Sequence, residues 1–334
     1  MADRIAEICN FLQKQWPDTE FRLDPISGDA SFRRYFRVVV GDGTWVLMDA
    51  PSLHDDCQRF VAICQSYAAA DLQVPTIVAA DISAGLLLLS DLGDDLLQFG
   101  LSTENVKAWY RQALALLPAV RSVKRSAIGD LPTFDTAFLL RELQIFSDWF
   151  INKHLGMTMG VSTQGLVQQV FDLLIASALA QPQAGMHRDF HSRNLMMLPD
   201  QQLAVIDFQD AVIGPVSYDA VSLLKDCYLT WPTELTAELR EEFLLQLKQS
   251  GEIAAEYSSL QFKRDFDLMG LQRHLKVLGI FCRLWYRDGK AGYLADLPRV
   301  FAYVLDVCDQ YDELSAFASW LRTDVEPLFA RSLP

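Results

Sequence analysis

The chain changes its hydrophobic period once, near Gly93 of its 334 residues, and that change limits the folds open to it. Before it, FRLDPISGDASFRRYFRVVVGDGTWVLMDAP reads as strands broken by turns at Ser27-Gly28-Asp29 and Gly41-Asp42-Gly43. Its flanks are rich in the Val, Phe, Tyr and Trp that suit a pleated surface. VPTIVAADISAGLLLLSDLG adds a strand, an Ile-Ser-Ala-Gly turn and a second strand. Residues 4–15, stopped at Trp16-Pro17, and residues 55–70 read as helices. Beyond Gly93, residues 103–119, 135–154, 163–180, 218–229, 233–250, 265–287 and 297–322 show 3.6-residue periodicity. One hairpin, LMML-PDQQ-LAVI, is the only strand-like interruption there. The expected class is α+β and two-lobed: a small mixed β-sheet N-lobe with one main helix over residues 1–92, and a large, mainly helical C-lobe over 93–334.

Composition narrows the partners. Half the residues are apolar, 51%, which suits a sizeable core. A net charge of −14 disfavours nucleic acid and anionic membrane surfaces. An anionic small-molecule substrate would then need a local cationic patch. The six cysteines form no CxxC pair and no zinc-spaced cluster, as expected of free thiols in a reducing compartment. The N-terminus lacks a basic segment followed by an apolar stretch, and no apolar run is long enough to span a bilayer. A soluble cytoplasmic protein is expected, its oligomeric state open.

The chemistry concentrates in AGMHRDFHSRNLMMLPDQQLAVIDFQDA, residues 184–211. Phosphoryl transfer needs a carboxylate to orient the attacking hydroxyl and oxygen ligands for magnesium on the nucleotide phosphates. His187, Asp189 and Asn194 fit the H-x-D-x-x-x-x-N spacing, and Asp207 follows thirteen residues after Asn194, at the end of the hairpin.

On these residues the chain resembles the aminoglycoside phosphotransferase and choline kinase superfamily, relatives of the protein kinases. HRDFHSRNLM is similar to its H-G-D-L-H-x-x-N loop, with His191 as the second histidine, and IDFQDAVIGPVSYDAVSLL to its I-D-F/W-x-D-A stretch. The resemblance runs from about residue 24 to about residue 290. It implies a protein-kinase-like fold, ATP and Mg2+ as cofactors, Asp189 as catalytic base, and Asn194 and Asp207 as metal ligands. It also implies that Asp219 and His187 support the loop, and that Ser90, Asp91 and Leu92 join the lobes where adenine is read by main-chain groups. Asp210 is either a solvated or hydrogen-bonded aspartate or a metal-linked one.

The pattern departs from its relatives at the phosphates. Met48 stands where kinase-like sheets carry a strand lysine, and residues 55–70 hold no glutamate to pair with one. The substitutes lie in GDASFRRYFRV: Ser31 with its neighbouring amides, and Arg33, which shares a strand face with Arg37 while Arg34 takes the other.

The acceptor is a separate question. Within 265–287, Leu271, Leu275, Leu278, Cys282 and Trp285 form one helical stripe. Arg273, Lys276, Arg283 and Arg287 form another nearly opposite. The second stripe is either a solvated face or a cationic wall for an anionic acceptor. Glu142 and Asp148, in 135–154, are surface acids or ligands of sugar hydroxyls. SGDASFRRYFRV, VLMDAP, HRDFHSRNLM and QRHLKVLGIF together resemble one branch, the bacterial anomeric kinases of N-acetylmuramate and N-acetylglucosamine in cell-wall recycling. That resemblance implies sugar 1-phosphate as product, with Glu142, His191, Arg273, Lys276 and Arg283 as candidate acceptor contacts. The alternatives are a phosphotransferase for another small hydroxyl compound and a nucleotide-binding regulator without transfer.

Overall fold

The computed structural model describes residues 2–26, 33–51 and 54–332. Its first elements are α1 (Ala2–Gln13), β1 (Arg22–Ile26), β2 (Arg34–Val40), β3 (Gly43–Asp49), α2 (His54–Ala69), β4 (Ile77–Asp81), β5 (Leu86–Ser90), α3 (Leu97–Gly100), α4 (Val106–Ser122), β6 (Arg125–Ser126) and β7 (Gly129–Asp130). Then come α5 (Thr136–Ile145), α6 (Val161–Ala180), β8 (Gln183–Met186), β9 (Leu195–Met197), β10 (Leu203–Val205), β11 (Val212–Pro215) and α7 (Tyr218–Leu224). The last are α8 (Thr233–Gln249), α9 (Ser259–Asp288), α10 (Leu297–Cys308), α11 (Ser315–Trp320) and α12 (Glu326–Ser332).

These elements make two compact units, but not two consecutive stretches meeting at residue 92. The first holds Met1–Gly100, Arg125–Asp130 and Arg193–Ala211; the second holds Leu101–Lys124, Leu131–Ser192 and Val212–Pro334. The hairpin β9–β10 returns to the first unit because its backbone groups find partners there. Met197 N donates to Asp95 O at 2.7 Å, and Val205 N donates to Gln73 O at 2.8 Å.

In the first unit the strand order is β1-β2-β3-β5-β4. Every pairing is antiparallel, so the sheet is not mixed. Val40 pairs Gly43, which leaves Gly41-Asp42 as a two-residue turn, with Gly41 at φ +56° in the left-handed region such hairpins need. One face is covered by α1: Ile8, Phe11 and Leu12 bury against Val38, Leu47, Leu86 and Leu88. Each such burial stabilises by about 1.5–3 kcal/mol. Strand alternation puts Met48, the neighbour of Leu47, on the other face, where it too is fully buried.

The second unit is mainly helical and centres on α9. Ser258 Oγ accepts from Gln261 N at 3.0 Å at its start, and Gly289 ends it at φ +72°. Every residue from Asp265 to Gly279 is buried, because α5, α6, α7 and α10 pack around it. The basic stripe is therefore no single face: Arg273 and Lys276 are buried, Arg283 is half-buried and Arg287 is exposed. Gly279 is needed for this packing, since a Cβ there would lie 2.2 Å from Ile145 O.

Other boundaries shift for local reasons. The expected helix 135–154 is α-helical to Ile145 and then π-helical over Phe146–His154. The expected helix 218–229 ends at Leu224, where Asp226 Oδ1 takes Tyr228 N at 2.9 Å and draws the chain out of the helix. The periodicity over 297–322 is interrupted after Cys308. Two more strand pairs, β6–β7 and β8–β11, join the single hairpin expected beyond Gly93. QAGM and VIGP, which form β8 and β11, are largely buried and so carry no alternating signal.

Candidate active site

The loop after β8 belongs, through Ser192, to the second unit, and two aspartates hold it by its main chain. Asp219, in the first turn of α7, accepts from His187 N at 2.8 Å and from Arg188 N at 2.9 Å. Asp226, just past α7, accepts from Ser192 N at 3.0 Å and Ser192 Oγ at 2.6 Å. Between these anchors Arg188 sits at φ +82°, a conformation costly for a side chain of its size. His187 is fully buried, and its Nδ1 accepts from Asp189 N at 3.2 Å, which fixes the turn that presents Asp189.

The Asp189 carboxylate is 37% exposed and lies 3.6 Å from Arg273 Nη1. The same nitrogen donates to Arg188 O at 3.3 Å. Burial alone would push the Asp189 carboxyl up, but Lys276, Arg273 and Arg188 together hold it well below the usual carboxylate range. Behind it, Glu142 is buried and takes Lys276 Nζ at 2.8 Å and Arg188 Nη2 at 2.8 Å. Gln272 Nε2 donates to its other oxygen at 3.2 Å. Burial raises the Glu142 carboxyl, and Lys276 and Arg188 bring it below its ordinary value. The Tyr218 hydroxyl accepts from both Arg273 and Lys276 at 3.5 Å. Three cations and three carboxylates (Glu142, Asp189, Asp219) thus balance within one network, buried except towards the part-exposed Asp189 and Arg188.

The first unit holds the expected metal ligands. Asp207, at φ +62°, accepts from Gln209 Nε2 at 2.8 Å and from Asn194 Nδ2 at 3.5 Å. Arg33 Nη1 lies 3.9 Å from Asp207 Oδ1, so Asn194, Asp207 and Arg33 share one neighbourhood. Asp210 has Arg59 at 3.8 Å. Arg34, by contrast, is committed to the buried Asp49, which also takes Arg4 at 2.6 Å; it has no share in the Asp207 neighbourhood. Arg37 is bound to Asp91 at 2.6 Å and Asp94 at 2.9 Å. Asp91 is therefore an anchor for Arg37, and Ser90 Oγ accepts from Thr76 N at 2.8 Å. Ser90 N in turn donates to Thr76 O at 2.8 Å, and Leu92 is half-buried. Ser31 lies outside the described residues.

The acceptor candidates separate as well. Glu142 is no surface acid, and Arg273 and Lys276 are buried beside Asp189 rather than arrayed on a wall. Arg283 is ten residues further along α9, about 15 Å at 1.5 Å per residue, and half-buried. Asp148 is exposed. His191 is packed edge-on to Tyr228, with ring centroids 5.3 Å apart. Sequence reasoning passed over Arg188 and Asp226. Arg188 was legible as the middle residue of HRD, whereas nothing in the sequence marks Asp226 except an acid near the end of a helix.

A strand-and-helix unit carrying Asn194 and Asp207, and a helical unit presenting Asp189 from an H-x-D loop, are the parts of a kinase-like phosphotransferase. The chain belongs to the phosphotransferase enzyme family, whose profile it matches over residues 22–261. It is 41% identical over 312 residues to the N-acetylmuramate/N-acetylglucosamine kinase of Pseudomonas aeruginosa, covering 93% of this chain and 91% of that one. It is 42% identical over 294 residues to the protein of the same description from Pseudomonas putida, covering 88% and 85%. In fold it is similar to the ADP-bound aminoglycoside phosphotransferase APH(2'')-Ib, with a TM-score of 0.61 over 90% of this chain and 98% of that chain, at 14% identity. Among the described residues no helix is long and apolar enough to cross a membrane.

Proposed function

We propose that this phosphotransferase moves the γ-phosphoryl group of ATP to the anomeric hydroxyl of an amino sugar, N-acetylmuramate or N-acetylglucosamine, in the recycling of cell-wall sugars. The observation that carries the reading is the likeness to kinases of that description along about nine-tenths of the chain, with Asp189, Asn194 and Asp207 all present.

The electrostatics favour the same acceptor. Asp189 would take the proton of the attacking hydroxyl, yet its carboxyl is held low by Lys276, Arg273 and Arg188 and is a weak base. An anomeric hydroxyl is more acidic than an ordinary alcohol and needs less help from a base. The amide oxygen of Asn194 and the carboxylate of Asp207 are hard oxygen donors suited to Mg2+, which keeps waters and takes phosphate oxygens for its remaining positions. Among the described residues no group of three or more His, Cys, Asp or Glu side chains could cage a metal, which fits a cation brought in with a nucleotide. Bound there, Mg2+ would neutralise charge on the phosphates. Arg33 supplies protein charge beside it, and Ser31 remains a proposed phosphate contact. The main chain at Ser90, Asp91 and Leu92 would read adenine, and His191, two residues past the base, is a proposed acceptor contact.

The test is a coupled ADP-release assay over amino sugars, hexoses and amino alcohols, with 31P NMR of the product. Turnover on the two amino sugars with phosphate on the anomeric carbon is the expected result. Absence of turnover on both, or phosphate at another carbon, would sink the assignment.

A further inference from the structure

The strand position expected to carry a phosphate-binding lysine holds Met48, fully buried. Its cross-strand partner on β2 is Tyr35, and the Tyr35 hydroxyl acts electrostatically on Arg33. Cross-strand partners lie about 5 Å apart on one face of a sheet, and Arg33, two residues before Tyr35, falls on the face that Tyr35 and Met48 share. Two carboxylates from different elements flank it. Asp56, in the first turn of α2, has Oδ2 3.8 Å from Arg33 Nη2. Asp207, beyond β10, has Oδ1 3.9 Å from Arg33 Nη1. The arginine side chain is only 9% exposed, whereas the Asp207 side chain is 50% exposed and open to another partner.

We propose that Asp56 and Arg33 replace the helix glutamate and strand lysine of kinase-like sheets, and that Arg33 exchanges one of its two carboxylates for the nucleotide. A guanidinium and a divalent cation compete for the same Asp207 oxygens. When the cation takes them, the Nη1 side of Arg33 needs another anion, and the phosphates that arrive with the cation provide it. A planar guanidinium suits them because it can bind two phosphate oxygens at once. The Nη2 side keeps Asp56 throughout, so Arg33 changes partner without losing its place. Asp56 is thus a positioning residue. The proposal rests on nucleotide use by this phosphotransferase, not on the sugar assignment.

The two roles predict opposite signs. In Arg33→Gln, Mn2+ alone, titrated by electron paramagnetic resonance, should bind roughly threefold to tenfold more tightly, the scale of one part-buried charge pair. The same variant should bind a magnesium complex of a non-hydrolysable ATP analogue about tenfold or more weakly by calorimetry. In Asp56→Asn both ligands should weaken, because Arg33 then loses the carboxylate that holds it away from Asp207. Arg33→Lys keeps the charge but loses the second arm. It should leave Mn2+ binding near wild type and still weaken the nucleotide, and it serves if the glutamine variant does not fold. Weaker Mn2+ binding in Arg33→Gln, the mark of a structural role alone, would overturn the proposal, as would unchanged nucleotide binding in either arginine variant. No sugar enters these titrations, so a wrong acceptor would leave every outcome as stated.

Discussion

Arg188 holds a left-handed backbone, φ +82°, while its amide donates 2.9 Å to the Asp219 carboxylate. The strained residue precedes the proposed base, and the strain is held by an acid on another element. Asp219→Asn offers one oxygen where two amides now find one each. Expected are a loss of about 1–3 kcal/mol of stability, measured by urea unfolding, and a kcat reduced at least tenfold with nucleotide affinity kept. A kcat equal to wild type would show that the turn holds itself.

With Asp189 as the proposed base, the cations around it should set the acid limb of activity. Its depressed carboxyl means that the charged form persists through mildly acid pH and is lost only below the ordinary carboxylate range. Arg273→Met or Lys276→Met removes one lowering charge, so the acid limb of kcat/KM should move upward in pH. At neutral pH Asp189 stays charged and gains basicity, so kcat should not fall on account of the base, and any change should be the same for both sugars. A rise in KM confined to the carboxylated sugar would instead return Arg273 to acceptor binding.

Glu142 neutralises two cations, Lys276 and Arg188, each at 2.8 Å. Glu142→Gln leaves both short of a counter-charge inside the protein and should cost about 3–5 kcal/mol. Adding Lys276→Met to that variant should recover part of the loss. Additive losses in the double variant would mean that the pair is not coupled.

His274 is buried, stacked on Tyr303 with centroids 4.8 Å apart, and its Nε2 lies 2.9 Å from Lys225 O. Burial, with Arg273 and Lys225 nearby, depresses it to about 3. An unfolded histidine takes its proton near pH 6.5, so between that value and the folded one the unfolded state binds more protons. Stability should therefore fall on acidification from about pH 6.5, by up to about 1.4 kcal/mol per pH unit for this one group. Chemical denaturation between pH 7 and 5 should show a shallower slope in His274→Gln than in wild type. Identical slopes would mean that His274 is already charged in the folded protein.

The chain's own pattern was enough for the two element types, the hairpin at 195–205, the turns at Gly41 and Ile82–Gly85, and the meeting of Asn194 with Asp207. Period, turn chemistry and short-range spacing are local properties, and local properties are written along the chain. The tertiary structure alone decided what the charges do. Arg273 and Lys276 look like an exposed stripe on a helical wheel, because a wheel shows angle and not what packs against it. Neighbouring helices on every side of α9 turned them into the buried counter-charges of Asp189 and Glu142. Likewise Arg33, Arg34 and Arg37 are alike in sequence. They separate only because Asp56 and Asp207, Asp49, and Asp91 with Asp94 come to them from elsewhere in the chain, and Coulomb energy depends on distance in space.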